Sequence, residues 1–378
     1  MRMLIWLFLA VLIGVGRGAA QEVHLPFGTP GWMLSGSASA VDPGDGPDFL
    51  RLRNGSAARV DVPVEDGTFA FDLRMPRARG FVGVRFRLDA TGSGEEIYFR
   101  PHKANAPDAV QYAPVFNGES YWQVFHGAAS TASAAFPGPD EWLHVRLDVS
   151  GPIAALYLNG AAEPALVARL ARRPSPGFFA VYASFPGAQG EGSPMVDVAD
   201  FVVTPQTPAT TLPAPPDPPD LGAGVVRTWQ ISKAFRWNGD VPTAPPGDLG
   251  GWTPAPVDPS GVLLVGRYRQ IMPGGAGWGV GARVIVDASV PGTRRFDLGF
   301  SDAATVMVNG EVVYAADQRF SLNFPRRQGL VTPSQASLFI PLHEGRNEIM
   351  VIVADSNGGW AVTGRFPDPA GLTLGGSS

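Results

Sequence analysis

The sequence predicts an all-β protein of two antiparallel β-sandwich (jelly-roll) domains joined by a Pro-rich linker, and three observations lead there. Apolar residues recur at every second position in many short runs, which is the period of a strand with one buried face. With 47 glycines and 37 prolines among 378 residues, the chain is broken too often for long helices. A tract of seven prolines between Thr204 and Asp220 then separates two stretches, each long enough for a domain. A composition of 45% hydrophobic and 17% charged residues supplies material for two cores.

The chain opens on Arg2, an apolar run from Met3 to Gly14, and Gly18-Ala19-Ala20 before Gln21, with small residues where a signal peptidase reads. A dozen apolar residues are too few to cross a hydrocarbon core of about 30 Å. Residues 1–20 are therefore expected to be a secretory signal peptide. The expected location is a bacterial periplasm or the medium, with no membrane contact after removal of the leader. The lack of cysteine suits export without a disulfide framework.

The first sandwich is expected over 22–203. Its clearest strands carry Phe69, Phe71, Leu73 and Met75, then Val82, Val84, Phe86 and Leu88, then Leu143, Val145, Leu147 and Val149. Asn159-Gly160 after Leu156-Tyr157-Leu158 reads as a hairpin turn, and Ala165 to Ala171 reads as a short helix-like run. Residues 204–221 form the linker, an extended polyproline-like spacer. The second sandwich, 222–375, carries Phe296, Leu298 and Phe300, then Thr305 to Val308 running into Asn309-Gly310 and Val312 to Tyr314, then Leu338 to Leu342 and Ile349 to Val353. Asn309-Gly310 is a strong hairpin signal because a type I′ turn needs two residues that tolerate positive φ. No short-period repeat suggests a propeller or solenoid.

Several chemistries are disfavoured. A net charge of −5, or −7 without Arg2 and Arg17 of the leader, argues against nucleic acid or an anionic membrane as partner. Without cysteine there is no thiol nucleophile and no thiolate metal site. No G-x-S-x-G elbow is present, and Gly277 to Ala282, which fits G-x-G-x-x-A, lies in a Gly-rich β segment with no helix after it. None of the five histidines forms an H-x-H or H-x-x-x-H pair, so no metal ligands and no cofactor are assigned. Structural calcium, held by scattered oxygens, would leave no such signature. Glu95-Glu96 is the nearest acidic pair, but neighbours on a strand point to opposite faces, so one of the two is expected in solvent.

One stretch is denser than its surroundings. Between Tyr98 and Gly127 the chain gathers seven aromatic residues with Arg100, His102, Gln111, Asn117, Gln123 and His126. Sugar sites use this mixture, since ring faces stack on the apolar face of a sugar while planar amide, guanidinium and imidazole groups bond its hydroxyls. The candidate carbohydrate-binding residues are Arg100, Gln111, Tyr112, Asn117, Trp122 and Gln123, with Trp360 after two glycines as a second platform. His102 and His126 are the candidate catalytic bases, their ordinary pKa of about 6.5 suiting proton transfer near neutrality. The same spacing would also arise from a sheet that buries its aromatics in the core.

The words Tyr98-Phe99-Arg100-Pro101, Asp108 to Tyr112, Val115-Phe116-Asn117-Gly118, Trp122-Gln123, His126-Gly127, Glu141-Trp142 and Val149-Ser150-Gly151 resemble a group of bacterial secreted concanavalin A-like (laminin-G-like) sandwich domains, which shares its fold with 3-keto-disaccharide hydrolase domains. The resemblance covers about Thr68 to Val203 and implies a lectin or glucanase-type jelly roll. Phe300-Ser301-Asp302, Thr305 to Gly310, Leu342 to Glu348 and Gly358-Gly359-Trp360 resemble a galactose-binding-like jelly roll of the kind appended to bacterial glycosidases. Three functions follow as expectations: a secreted lectin-like protein with a carbohydrate ligand; a hydrolase or lyase of glycosides or 3-keto-disaccharides; and a structural or adhesive envelope protein.

Overall fold

Strand Gly67–Arg74 shows how the period-two pattern becomes structure: its residues alternate between buried and half-buried, with Phe69, Phe71 and Leu73 turned inward. Leu143–Ser150 pairs antiparallel beside it and places Val145 opposite Phe71 and Leu147 opposite Phe69 on the same inner face. A computed structural model describes residues 21–375, except 45, 47, 189, 191, 207, 209, 242, 243, 245, 246, 248, 271–276, 322, 324–327 and 357. The expected signal peptide lies outside the described residues.

A single continuous antiparallel sheet makes both layers of the first sandwich. The strand Phe49–Val64 passes from one layer to the other, pairing through residues 49–52 with Val196–Thr204 and through 55–64 with Gly177–Ser184. The first layer continues through Gly67–Arg74, Leu143–Ser150, Ile153–Leu158 and Leu166–Arg169, and the second through Phe81–Leu88, Gly94–Phe99 and Val110–Phe116. Between them lies a core that includes Phe69, Phe86, Phe99, Phe179 and Phe201, the last two stacked at 5.4 Å. The second sandwich faces an eight-stranded sheet, centred on Trp278–Ala288 and Gly345–Asp355, against a four-stranded one centred on Ala361–Arg365 and Gly292–Ser301. Trp229, Phe296, Phe300, Val351 and Trp360 are buried between them.

The protein is thus all-β, with antiparallel sheets throughout. The helix-like reading of Ala165 to Ala171 is corrected. Leu166–Arg169 is an edge strand paired with residues 153–156, because a run this short cannot nucleate a helix alone while an open sheet edge offers its backbone partners. Asn159-Gly160 and Asn309-Gly310 both take positive φ, at 51° and 69° and at 51° and 89°, as type I′ turns require. Within the proline tract Leu212 is buried against Ala155 and Tyr157, so at that point the chain lies on the first sandwich.

Candidate functional site

The outer face of the first sandwich's second layer carries Tyr98 and Gln111, two of the residues singled out in the sequence. Because side chains alternate, Glu96, Tyr98 and Gln111 leave this face while Glu95, Ile97 and Tyr112 enter the core. Residues 117–126 fold over that outer face and fill the space where a ligand cleft was expected. Gln111 ties the cover down, its Nε2 donating to the carbonyls of Trp122 (2.9 Å) and Phe125, while its Oε1 accepts from the Tyr98 hydroxyl at 2.6 Å and from Arg100. Arg100 also donates to Asp108 at 2.6 Å and to the Tyr98 hydroxyl at 3.0 Å. Burial pushes the Tyr98 hydroxyl well above its ordinary value.

The remaining predicted residues are placed as follows. Tyr112 is fully buried and donates to Glu95 at 2.7 Å. Gln123, also fully buried, reaches into the second sandwich, where its Oε1 accepts from Ser301 at 2.7 Å and its Nε2 donates to Asp302 at 3.3 Å. Trp122 is half-buried, edge-on to Phe320. Trp360 is 2% exposed with its indole N–H donating to Val353 O, so it is a core residue and offers no stacking face. His102 is exposed beside Phe81, with Nδ1 accepting from Gly80 N at 3.4 Å; desolvation first, then Lys103 and Arg100, hold it below its ordinary pKa. His126 instead bonds Val331 O through Nε2 at 2.9 Å. The two histidines are thus engaged with different sandwiches. Glu95 and Glu96 do point to opposite faces, yet both are buried, Glu95 under Tyr112 and Glu96 paired with Arg85 at 2.9 Å; the expectation that one would be solvated is corrected.

Of the predicted set, Asn117 is the one that lines the cleft between the sandwiches, although it is itself buried. It sits with Gly118 in a tight turn, φ 54° and 83°, directly after strand Val110–Phe116. Its Nδ2 donates to Arg269 O at 3.1 Å, and the nearby Tyr121 hydroxyl accepts from Gly266 N at 2.8 Å. Phe116 and Tyr121 belong to the core of the second sandwich, so this turn joins the two halves.

Beside that joint lies a cleft of about 740 Å³ walled by both sandwiches. From the first come the 89–93 turn, Phe116, Asn117 and the 171–173 loop; from the second come Pro256, Val257 and the 266–270 segment. Asp89 organises one rim: its Oδ1 accepts from Thr91 N (2.8 Å), the Thr91 hydroxyl (2.6 Å) and Ser93 N (3.1 Å), and its Oδ2 accepts from Arg172 at 2.7 Å. Burial alone would raise this carboxyl, but the hydrogen bonds from Thr91 and Ser93 and the charge of Arg172 outweigh it and hold the group below its ordinary pKa. The 171–173 loop is anchored from beneath, Ala171 N donating to the Tyr112 hydroxyl at 2.6 Å and Arg172 N to Glu95 Oε1 at 2.9 Å. Across the cleft, Arg267 donates to Ala171 O at 3.0 Å, and the Tyr268 hydroxyl is fixed on Pro256 O at 2.6 Å. Among the described residues no three His, Asp or Glu side chains gather where they could hold a metal ion.

The sequence reading missed Asp89, Arg172, Arg173, Arg267, Tyr268 and Gln270. The only signals were Arg172-Arg173 and Arg267-Tyr268-Arg269-Gln270, two unremarked pieces 94 positions apart that become one wall only when the sandwiches dock.

Fold and cleft together define the class: a two-sandwich β protein with a polar cavity at the joint. No family model matches the sequence, and no curated protein matches it either. Among solved structures the chain is similar to the carbohydrate-binding module CBM66 from Bacillus subtilis, at 15% identity over 45% of this chain and 93% of that one, TM-score 0.34. It is similar also to a Bacillus licheniformis β-glucanase, at 14% identity over 49% and 98%, TM-score 0.37. A third is the exoplasmic domain of VIP36 in its Ca²⁺/Man3GlcNAc-bound form, at 13% identity over 50% and 90%, TM-score 0.36.

Proposed function

We propose that this is a secreted carbohydrate-binding protein that holds a glycan in the cleft between its two sandwiches. The observation that carries the reading is the cleft itself. Its volume of about 740 Å³ falls in the range of roughly 300–1,000 Å³ usual for ligand sites, and its walls mix amide, hydroxyl and guanidinium groups with the ring of Tyr268. Those are the groups that bond sugar hydroxyls and stack on a pyranose face. Tyr268 is held by its bond to Pro256 O before any ligand arrives, which lowers the entropy cost of binding.

Binding is favoured over hydrolysis by the state of the one carboxylate that lines the cleft. Glycoside hydrolysis ordinarily uses two carboxyl groups, one of them protonated as acid. Asp89 is kept ionised, and its oxygens are already engaged by Thr91, Ser93 and Arg172. The test is a titration of the purified protein against a panel of neutral and acidic oligosaccharides, plain and 3-keto disaccharides included, with released monosaccharide measured in parallel. Retained ligand without release is expected, weakened roughly tenfold or more in the Tyr268→Ala, Gln270→Ala variant. Release of monosaccharide would move the reading to the hydrolase, and binding unaffected by that variant would move it away from the cleft.

A further inference from the structure

We infer that the cleft selects an acidic saccharide, one whose anionic group meets the guanidinium groups of Arg173 and Arg267. The inference rests on the glycan-binding reading and adds the class of ligand. Three arginines line the cleft, Arg172, Arg173 and Arg267, against the single carboxylate of Asp89. This excess of positive charge belongs to a chain whose net charge is −5. A cleft with low-dielectric walls focuses such a field and recruits ligands of opposite sign.

The three arginines are not equivalent. Arg172 is neutralised: it pairs with Asp89 at 2.7 Å, and a second donor reaches Arg87 O at 3.3 Å. Among the described residues the Arg267 side chain makes a single hydrogen bond, to Ala171 O, and it leans over the ring of Phe116 at 5.9 Å. Four of its five donors stay available to a ligand. Arg173 is exposed and has no hydrogen bond or ion pair among the described residues. The first arginine thus builds the wall, and the other two line the cleft from opposite sandwiches with no ion pair among the described residues.

A planar guanidinium fork matches a carboxylate or sulfate with two parallel hydrogen bonds. A bare oxyanion would leave most of 740 Å³ empty, and it would leave the amide of Gln270 and the ring of Tyr268 without a role. A sugar ring bearing an anionic substituent uses all of them. The fit is to a uronate-bearing or sulfated glycan.

The full chain would be titrated calorimetrically with oligogalacturonate, with the same oligomer after reduction of its carboxyl groups, with a sulfated dextran and with plain dextran, at low and at high salt. Oligogalacturonate or sulfated dextran is expected to bind at least roughly tenfold more tightly than its neutral counterpart, and the difference is expected to shrink as salt rises. Which anion binds tells carboxylate from sulfate. Arg173→Gln with Arg267→Gln should abolish the preference, with an unchanged melting temperature showing that the variant folds; Arg173→Gln alone, at an exposed side chain, gives the same test with no packing at stake. Equal binding of neutral and acidic oligomers, lost in the Tyr268→Ala, Gln270→Ala variant, would overturn the inference and leave the glycan reading standing. An acidic preference that persists in the arginine variant would place it elsewhere and overturn the inference. Absence of binding by every saccharide would overturn both.

Discussion

Glu95 is fully buried on the core side of its strand, and its carboxyl titrates near 7 where 4.5 is ordinary. Burial is the largest cause; the Tyr112 hydroxyl, the Arg172 N–H and the charges of Arg172 and Arg87 work against it without cancelling it. A carboxyl whose pKa is raised by folding binds more protons folded than unfolded between those two values. Its contribution to stability is therefore present in full below about pH 4.5 and is lost as pH rises toward 7, a difference of about 3 kcal/mol. Glu95→Gln keeps an acceptor for Arg172 N and removes the charge. Denaturant unfolding at pH 5 and pH 8 should show the native chain losing stability between the two and the variant losing about 2.5 kcal/mol less. An identical pH dependence in both proteins would mean that Glu95 does not titrate in this window. The parity rule of a strand separated Glu95 from Glu96 correctly, but it is silent on what lies over each face, and so on the burial of both.

At the scale of elements, the legible features are those with a local cause. Asn309-Gly310 links Ala303–Val308 to Glu311–Asp317, and Asn309 adds side-chain bonds to Asn347 at 2.9 Å and to Glu348 N at 2.9 Å. Gly310 sits at φ 89° with open space where a Cβ would be, so Gly310→Ala tests backbone strain without a clash. The expected cost is about 1–2 kcal/mol, read as a lower denaturation midpoint with unchanged slope. Asn117-Gly118 carries the same signal and takes the same conformation, which a reading of Asn117 as a sugar ligand passed over. The 166–169 strand was not legible for the opposite reason, since its structure comes from a pairing partner and not from its own periodicity.

Across the whole molecule, the two cores are joined by the segment that covers the first sandwich. Gln123 N donates to Gly358 O at 3.2 Å, Val331 N donates to Gln123 O at 2.9 Å, and the side chain bonds Ser301 and Asp302. Gln123→Ala keeps the main-chain bonds but strips buried Ser301 and Asp302 of a partner, at an expected cost of about 1–3 kcal/mol. Because the residue belongs to the first half and its partners to the second, calorimetry should show the transitions of both halves shifting together. A shift confined to one transition would mean that the joint does not couple them.

The sequence by itself determined the all-β class, the alternation that chooses core residues in each strand, and the Asn-Gly hairpins, because each of these follows from contacts within a few residues of the chain. It also marked residues 98–127 as unusual, and that segment is where the two sandwiches meet. Only the tertiary structure decided what those residues do: Gln111 and Gln123 turned out to be staples, Trp360 a core residue and Asn117 a turn at the rim of a cleft. A polar side chain facing off a sheet reads the same in sequence whether water, a ligand or another part of the chain lies over it. The cleft depends on two arginine-bearing loops, at 171–173 and 266–270, brought together by docking, which no local pattern records.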